Sequence, residues 1–176
     1  MPTLPLSTPS LLLRHFVPED AQTLRVLNAE PTTRTWLPSH VYRTPAEAAG
    51  RIGFLIDQYA DPGDPKRGPY VLGVEHLKTG QLLGHVGFSP LDDDVEISYA
   101  IAQAWRGRGL GTEAIVAACA WAAAVFGLMR ILALTAPANA ASRRTLARAG
   151  FAHIGDCVRC FQGREQSVST YVCALA

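Results

Sequence analysis

The stretch that decides the fold reads Val95-Glu96-Ile97-Ser98-Tyr99-Ala100-Ile101-Ala102-Gln103-Ala104-Trp105-Arg106-Gly107-Arg108-Gly109-Leu110-Gly111-Thr112-Glu113. Its first eight residues alternate. Val95, Ile97, Tyr99 and Ile101 point one way; Glu96, Ser98, Ala100 and Ala102 point the other. A strand with one small, polar face lets a ligand lie against it. The strand then runs into glycines at alternate positions, and an alanine-rich helix follows from about Gly109 to Phe126, with Ile115, Cys119, Ala122 and Phe126 on one face. Glycines leave backbone amides uncovered, and a helix N-terminus behind them adds free N–H groups and the positive end of a dipole. Such a turn suits phosphate or pyrophosphate, and Arg106 and Arg108 add charge. The same pattern also fits a flexible loop that binds nothing.

Working outward, strands are predicted over 70–77 and 82–88, joined by Lys78-Thr79-Gly80 and followed by a turn over Pro90 to Asp94, so that the Val95 strand completes an antiparallel meander. Upstream lie a strand from Leu11 to Phe16, a helix from Pro18 to about Asn28, and a helix opened by Thr44-Pro45-Ala46-Glu47 that reaches about Tyr59. Asp61 to Pro65 reads as a loop. Downstream lie a strand over 129–135, a helix from Asn139 to Ala149 ended by Gly150, and a closing hairpin of strands over 151–161 and 167–175. No repeat and no linker divides the chain. The expectation is one α+β domain over residues 1–176 with helices on both faces of a sheet.

Composition narrows the function classes. A net charge of +1 does not suggest a nucleic-acid or membrane partner, and 48% apolar residues supply a real core. The apolar run Leu110 to Met129 is interrupted by Glu113 and glycines and reads as a buried helix. No secretory signal is visible, and the expected location is the cytoplasm. Cys157 and Cys160 form a CxxC on a predicted strand, where an offset of three sends the thiols to opposite faces; no metal and no disulfide are expected.

The glycine turn matches neither common nucleotide motif. Position 112 is threonine where the dinucleotide fingerprint needs glycine, and no Gly-Lys-Ser or Gly-Lys-Thr triplet follows for a P-loop. It resembles instead the coenzyme-A signature of the GNAT (GCN5-related) N-acetyltransferase superfamily: Arg106, Gly109 and Gly111 occupy that signature in order, between a strand and a long helix. Asn139-Ala140-Ala141-Ser142 with Gly150-Phe151, and the start Leu11 to Asp20, are also similar to that family, most of all to the branch of ribosomal-protein N-terminal acetyltransferases.

The resemblance implies a mostly antiparallel sheet splayed between the fourth and fifth predicted strands, those beginning at Val95 and Met129. It implies acetyl-CoA as co-substrate, with pyrophosphate on the amides of Arg106, Gly107, Arg108, Gly109, Leu110 and Gly111, the pantetheine arm between the parted strands, and Ile101 and Thr112 also binding the cofactor. Asn139 and Ser142 would lie near the thiol. The implied reaction is direct acetyl transfer to a primary amine, of a protein N-terminus or a small molecule; a non-catalytic acyl-CoA-binding module is the alternative. Many members carry a tyrosine acid four residues before the Gly-Phe, where this chain has Leu146, leaving Ser142 as the nearest hydroxyl. Glu96 is the first candidate base. His85 is the second: if Phe88 pairs with Val95, His85 falls opposite Ser98 on the face of Glu96. Trp36 and Tyr42 lie where the family places its acceptor-side loop, either lining the pocket or packing the second helix. Asp92-Asp93-Asp94 either attracts a cationic acceptor or is a solvated turn. The oligomeric state, homodimer included, is left open.

Overall fold

The computed structural model describes residues 3–59 and 63–175; Asp61 and Pro62 of the predicted loop lie outside the described residues. In chain order the elements are β1 (Leu6–Ser7), β2 (Leu11–Arg14), α1 (Asp20–Asn28), α2 (Pro31–Trp36), α3 (Pro45–Asp57), β3 (Tyr70–His76), β4 (Leu82–Leu91), β5 (Asp94–Ile101), α4 (Leu110–Phe126), β6 (Arg130–Thr135), α5 (Ala140–Arg148), β7 (Ala152–Phe161) and β8 (Arg164–Ala174). Short 3₁₀ turns follow α2 at Pro38–His40 and precede α4 at Gln103–Trp105. The strands form one sheet in the order β1-β2-β3-β4-β5-β6-β8-β7.

Every pairing is antiparallel except β5 with β6, and that parallel pair holds only Glu96 against Leu132. Beyond that point the two strands part. The sheet is therefore splayed between the strands from Val95 and Met129, and the gap it leaves is the site.

The alternation of the strands explains what covers each face. Leu72, Val86, Phe88 and Ile97 join Ile115, Ala118 and Leu146 in the larger core under α4 and α5. Val71 and Leu82 join Leu24, Ala48, Ile52 and Leu55 in a second core under α1 and α3. Helix α3 starts where the sequence places it: the Thr44 hydroxyl accepts from the Glu47 N–H, Pro45 opens the first turn, and the Glu47 carboxylate accepts from the Arg43 N–H at 2.7 Å. Glu113 in the first turn of α4 accepts from the Thr8 hydroxyl and the Ser10 N–H, which pins the N-terminal segment to the helix behind the glycine turn.

Three readings need correction. Phe88 pairs with Ile97, not Val95, so His85 falls opposite Ala100. The shift is by two residues, so His85 keeps its face. The segment 31–40, for which the sequence predicts no element, forms α2 and a 3₁₀ turn; Pro31 opens the helix at its first position, as proline does. Tyr42 packs against the second core beside Leu27 and Ile56 and does not line the cleft. Its hydroxyl lies among Arg51 and Asn28, and burial pushes its pKa up.

Candidate active site

A cleft of about 370 Å³ passes through the gap between β5 and β6. It has three stretches, each built by a different part of the chain.

The first is the glycine turn. Gly107 and Gly109 have φ of 76° and 80°, backbone that a side chain strains, and Gly109 caps α4 in the left-handed conformation. A Cβ at either would meet nothing within 4 Å, so both face open space. The first helical bond of α4 runs from the Glu113 N–H to the Gly109 carbonyl, so the N–H groups of Leu110, Gly111 and Thr112 have no partner within the helix. Arg106, Gly107, Gly109, Leu110, Gly111 and Thr112 all border the cleft. The arginines are less free than composition suggests. Arg106 donates to the Ile101 carbonyl and pairs with Glu30 at 3.2 Å, which ties the turn to the start of α2. Arg108 does not line the cleft; it stacks over Trp105 at 4.9 Å and donates to the Ala104 carbonyl. Trp105 is partly buried, packs against the larger core and borders the cleft.

The middle stretch lies between the parted strands. Ile101 on one side and Ala133 and Thr135 on the other form its walls, and Asn139 and Ser142 from α5 close it. Asn139 caps α5, its side-chain oxygen accepting from the Ser142 N–H at 3.1 Å. The Ser142 hydroxyl meets the phenol of Tyr99 at 2.9 Å. Tyr99 is a residue that alternation alone hides, because it shares its strand face with core side chains. Burial holds its pKa up, to about 12, against the hydrogen bond with Ser142 and the neighbouring Thr145 hydroxyl. Leu146 is fully buried. The chain therefore carries a phenol beside Ser142, but from β5 and not from α5.

The third stretch opens on the face of α1 and α3. Glu96, Ser98 and Ala100 line it from β5, Ser89 from β4, and Trp36 and His40 from the α2 region. Phe161 and Gln162 reach over it from the β7–β8 hairpin, and the Gln162 side chain accepts from the Ser39 hydroxyl and N–H. Burial raises the Glu96 pKa to about 7; Arg159 opposes that rise and Asp92 adds to it. His85 is buried, at 3% exposure, and does not line the cleft. Its Nε2 lies 3.2 Å from Nδ1 of His40, which does line it. Burial lowers both imidazoles, His40 to about 4 and His85 to about 3; Arg51 adds to both, and His40 adds to the lowering of His85. The acidic run is committed elsewhere: Asp92 pairs with Arg159 at 2.9 Å and Asp94 with Arg130 at 2.7 Å.

Sequence reasoning thus missed Tyr99, His40, Phe161 and Gln162. His40 and the hairpin carry no motif, and only the folded chain brings them to the cleft.

A sheet split at one parallel pair, a glycine turn opening a long helix in the gap, and a second helix capped beside it define an acyl-CoA-type transferase architecture. The comparisons agree. The family model described as "Acetyltransferase (GNAT) domain" matches residues 10–152, and the chain belongs to that family. A search of curated protein sequences gives no match. Among solved structures, the chain is similar to ribosomal-protein-S5-alanine acetyltransferase from Vibrio fischeri, at 18% identity and a TM-score of 0.79, covering 96% of this chain and 95% of that one. It is similar to RimL, the ribosomal L7/L12 α-N-protein acetyltransferase, in complex with coenzyme A, at 15% identity and 0.80, with 97% of each chain covered. It is similar also to the microcin C7 self-immunity acetyltransferase MccE in complex with acetyl-CoA and AMP, at 16% and 0.78, covering 96% and 94%. At these identities the likeness is one of fold.

Proposed function

We propose that this chain transfers the acetyl group of acetyl-CoA to a primary amine by direct attack. The observation that carries this is the cleft itself, which joins an amide-lined glycine turn on one side of the sheet to a partly buried carboxylate, Glu96, on the other. Membership of the acetyltransferase family and the acetyl-CoA and coenzyme A named for two structural neighbours support it.

In this reading the amides of the turn hold pyrophosphate, and the arm runs between β5 and β6 past Ile101. The acetyl carbon then lies between Ser142 and Glu96. The amine attacks as the neutral base, and Glu96 takes its proton directly or through one water. The tetrahedral intermediate collapses with the sulfur leaving as thiolate. Ser142 donates its hydroxyl hydrogen to that sulfur; in this reading the Tyr99 phenol, which lies 2.9 Å from Ser142 Oγ and 3.3 Å from the Ser142 carbonyl, gives its one hydrogen to Oγ and so leaves the serine hydrogen for the ligand. A phenol held near 12 and a serine hydroxyl are weaker acids than a thiol, so their work is to stabilise the thiolate by hydrogen bonding, with the proton arriving from solvent. No metal takes part. The chain works as one acyltransferase domain in the cytoplasm; among the described residues no helix is long and apolar enough to cross a membrane.

The test is mass spectrometry of acetylated product with acetyl-CoA and a panel of peptides, polyamines and small amines. Turnover of no amine, with acetyl-CoA still bound, returns the non-catalytic module. A second prediction separates the hydroxyls. Ser142→Ala and Tyr99→Phe each lower kcat by about 10–100-fold, consistent with losing one hydrogen bond of about 1–3 kcal/mol. The double variant is little worse than either single one, because both act through one hydrogen bond to sulfur. Acetyl-CoA affinity measured by calorimetry stays within a few-fold. Additive losses on kcat would show that Tyr99 does not work through Ser142.

A further inference from the structure

The His40–His85 pair lies outside the mechanism above, and its hydrogen bonding carries information about the acceptor. His85 sits on β4 between Gly73 and Ala100 on the acceptor face of the sheet. Its Nε2 meets His40 Nδ1 at 3.2 Å, and its Nδ1 is buried with no hydrogen-bond partner among the described residues. Both rings are held neutral by burial and by Arg51. Two neutral rings joined by one hydrogen bond have two arrangements. If His40 donates, the second proton of the pair sits on His85 Nδ1, as a buried N–H without a partner. If His85 donates, His85 Nδ1 keeps only a lone pair, and the second proton sits on His40 Nε2. Orphaned buried N–H groups are the rarer and costlier defect, so the second arrangement is favoured. His40 Nε2 has no protein partner among the described residues, and it is not among the buried unpartnered atoms, so the cleft can reach it.

We infer that His40 is a specificity residue which presents a fixed Nε2–H donor to the acceptor, and that the acceptor carries a carbonyl oxygen next to its amine, as an α-aminoacyl group does. This rests on the acetyl-transfer reading. The donor cannot serve the amine itself, whose lone pair is spent on the attack, so its partner is a second atom of the acceptor that accepts a hydrogen bond. A polyamine has none. The aminoacyl carbonyl of a peptide N-terminus, or of an amino-acid amide, has one at the right remove. His85 acts as the positioning residue that sets the tautomer of His40.

Two-bond ¹H–¹⁵N spectra of histidine-labelled protein read the tautomer directly. The expected pattern is Nε2–H at His40; Nδ1–H at His40 overturns the inference. Steady-state kinetics then compare an alanine-headed tripeptide and alaninamide with the analogue of the tripeptide whose first carbonyl is reduced to methylene. His40→Phe lowers kcat/KM for both carbonyl-bearing acceptors by about 10–100-fold. The same substitution leaves the reduced analogue and acetyl-CoA affinity within about threefold. Equal losses on all three acceptors overturn the proposal, and a loss on the tripeptide alone assigns the site to peptide N-termini. His85→Leu, which removes the ring that sets the tautomer, brings the Nδ1–H form into the His40 spectrum and reproduces part of the kinetic loss. If no amine is acetylated, the acetyltransferase reading fails. Titration of coenzyme A-bound protein then still decides this inference, since the tripeptide shifts the His40 Nε2 resonance and the reduced analogue does not; shifts of equal size reject it.

Discussion

Glu96→Gln lowers kcat by about 10²–10⁴-fold, the usual contribution of a positioned general base, while acetyl-CoA affinity is unchanged. The substitution keeps the size of the side chain and removes its ability to take a proton. Its place in the fold is what makes it the candidate. Glu96 is the one β5 residue paired with β6, at the point where the strands part, so it marks the acceptor-side end of the gap. Burial raises its pKa to about 7, mainly by desolvation of the carboxylate. The sign follows from that direction. The base works as the carboxylate, so kcat for the wild type falls about tenfold per unit as pH drops below 7 and levels off above it. Glu96→Gln loses this limb and shows a flat, low profile over the same range. A variant with near-normal kcat from pH 6 to 9 removes Glu96 from the mechanism. His85 does not inherit the role directly, since it is buried behind His40 and burial lowers its pKa to about 3, which makes it a weak base.

The order of elements, the meander and the splay were legible because they depend on local alternation, turn residues and the resemblance of one glycine-rich segment. The Thr44 cap and the Gly109 start of α4 are local in the same sense. What was not legible depends on register and on contacts between distant segments. Pairing Phe88 with Val95 placed His85 two residues from its true partner, because the β4–β5 turn is tighter than the proline and three aspartates suggest: Leu91 pairs with Asp94 directly. Tyr99 shares its strand face with Val95, Ile97 and Ile101, and nothing in the alternation marks it out, yet the opening of the sheet exposes that face to the cleft where α5 arrives. Arg106 counts in the sequence as charge for a phosphate, whereas Glu30, from a segment with no predicted element, comes to meet it. Each of these is decided by a partner more than thirty residues away or by the turn between two strands, and periodicity is silent about both.

Gly109→Val weakens acetyl-CoA binding by about 10²–10⁴-fold while the protein stays folded. Two effects act together. Gly109 has φ of 80°, where a β-branched residue is strained, so the turn relaxes and its amides lose their common direction. The added side chain also enters the space that faces the cleft, since nothing in the protein lies within 4 Å of a Cβ there. Losing two charge-assisted hydrogen bonds to phosphate, at about 1.5–3 kcal/mol each, gives that range of affinity. Backbone strain alone could be blamed for such a loss, and a second glycine of α4 separates the two explanations. Gly127 ends the same helix with φ of 64° and is equally free of neighbours within 4 Å, but it lies at the opposite end of α4 and does not line the cleft. Gly127→Val therefore carries a similar strain, lowers the melting temperature by a similar amount, and leaves acetyl-CoA affinity within a few-fold in calorimetric titration. Should both variants lose affinity alike, the loss reports the stability of α4 and the glycine turn is not the pyrophosphate cradle. Should Gly109→Val bind normally while folded, the pyrophosphate lies elsewhere along the cleft and the orientation of the cofactor proposed above is wrong.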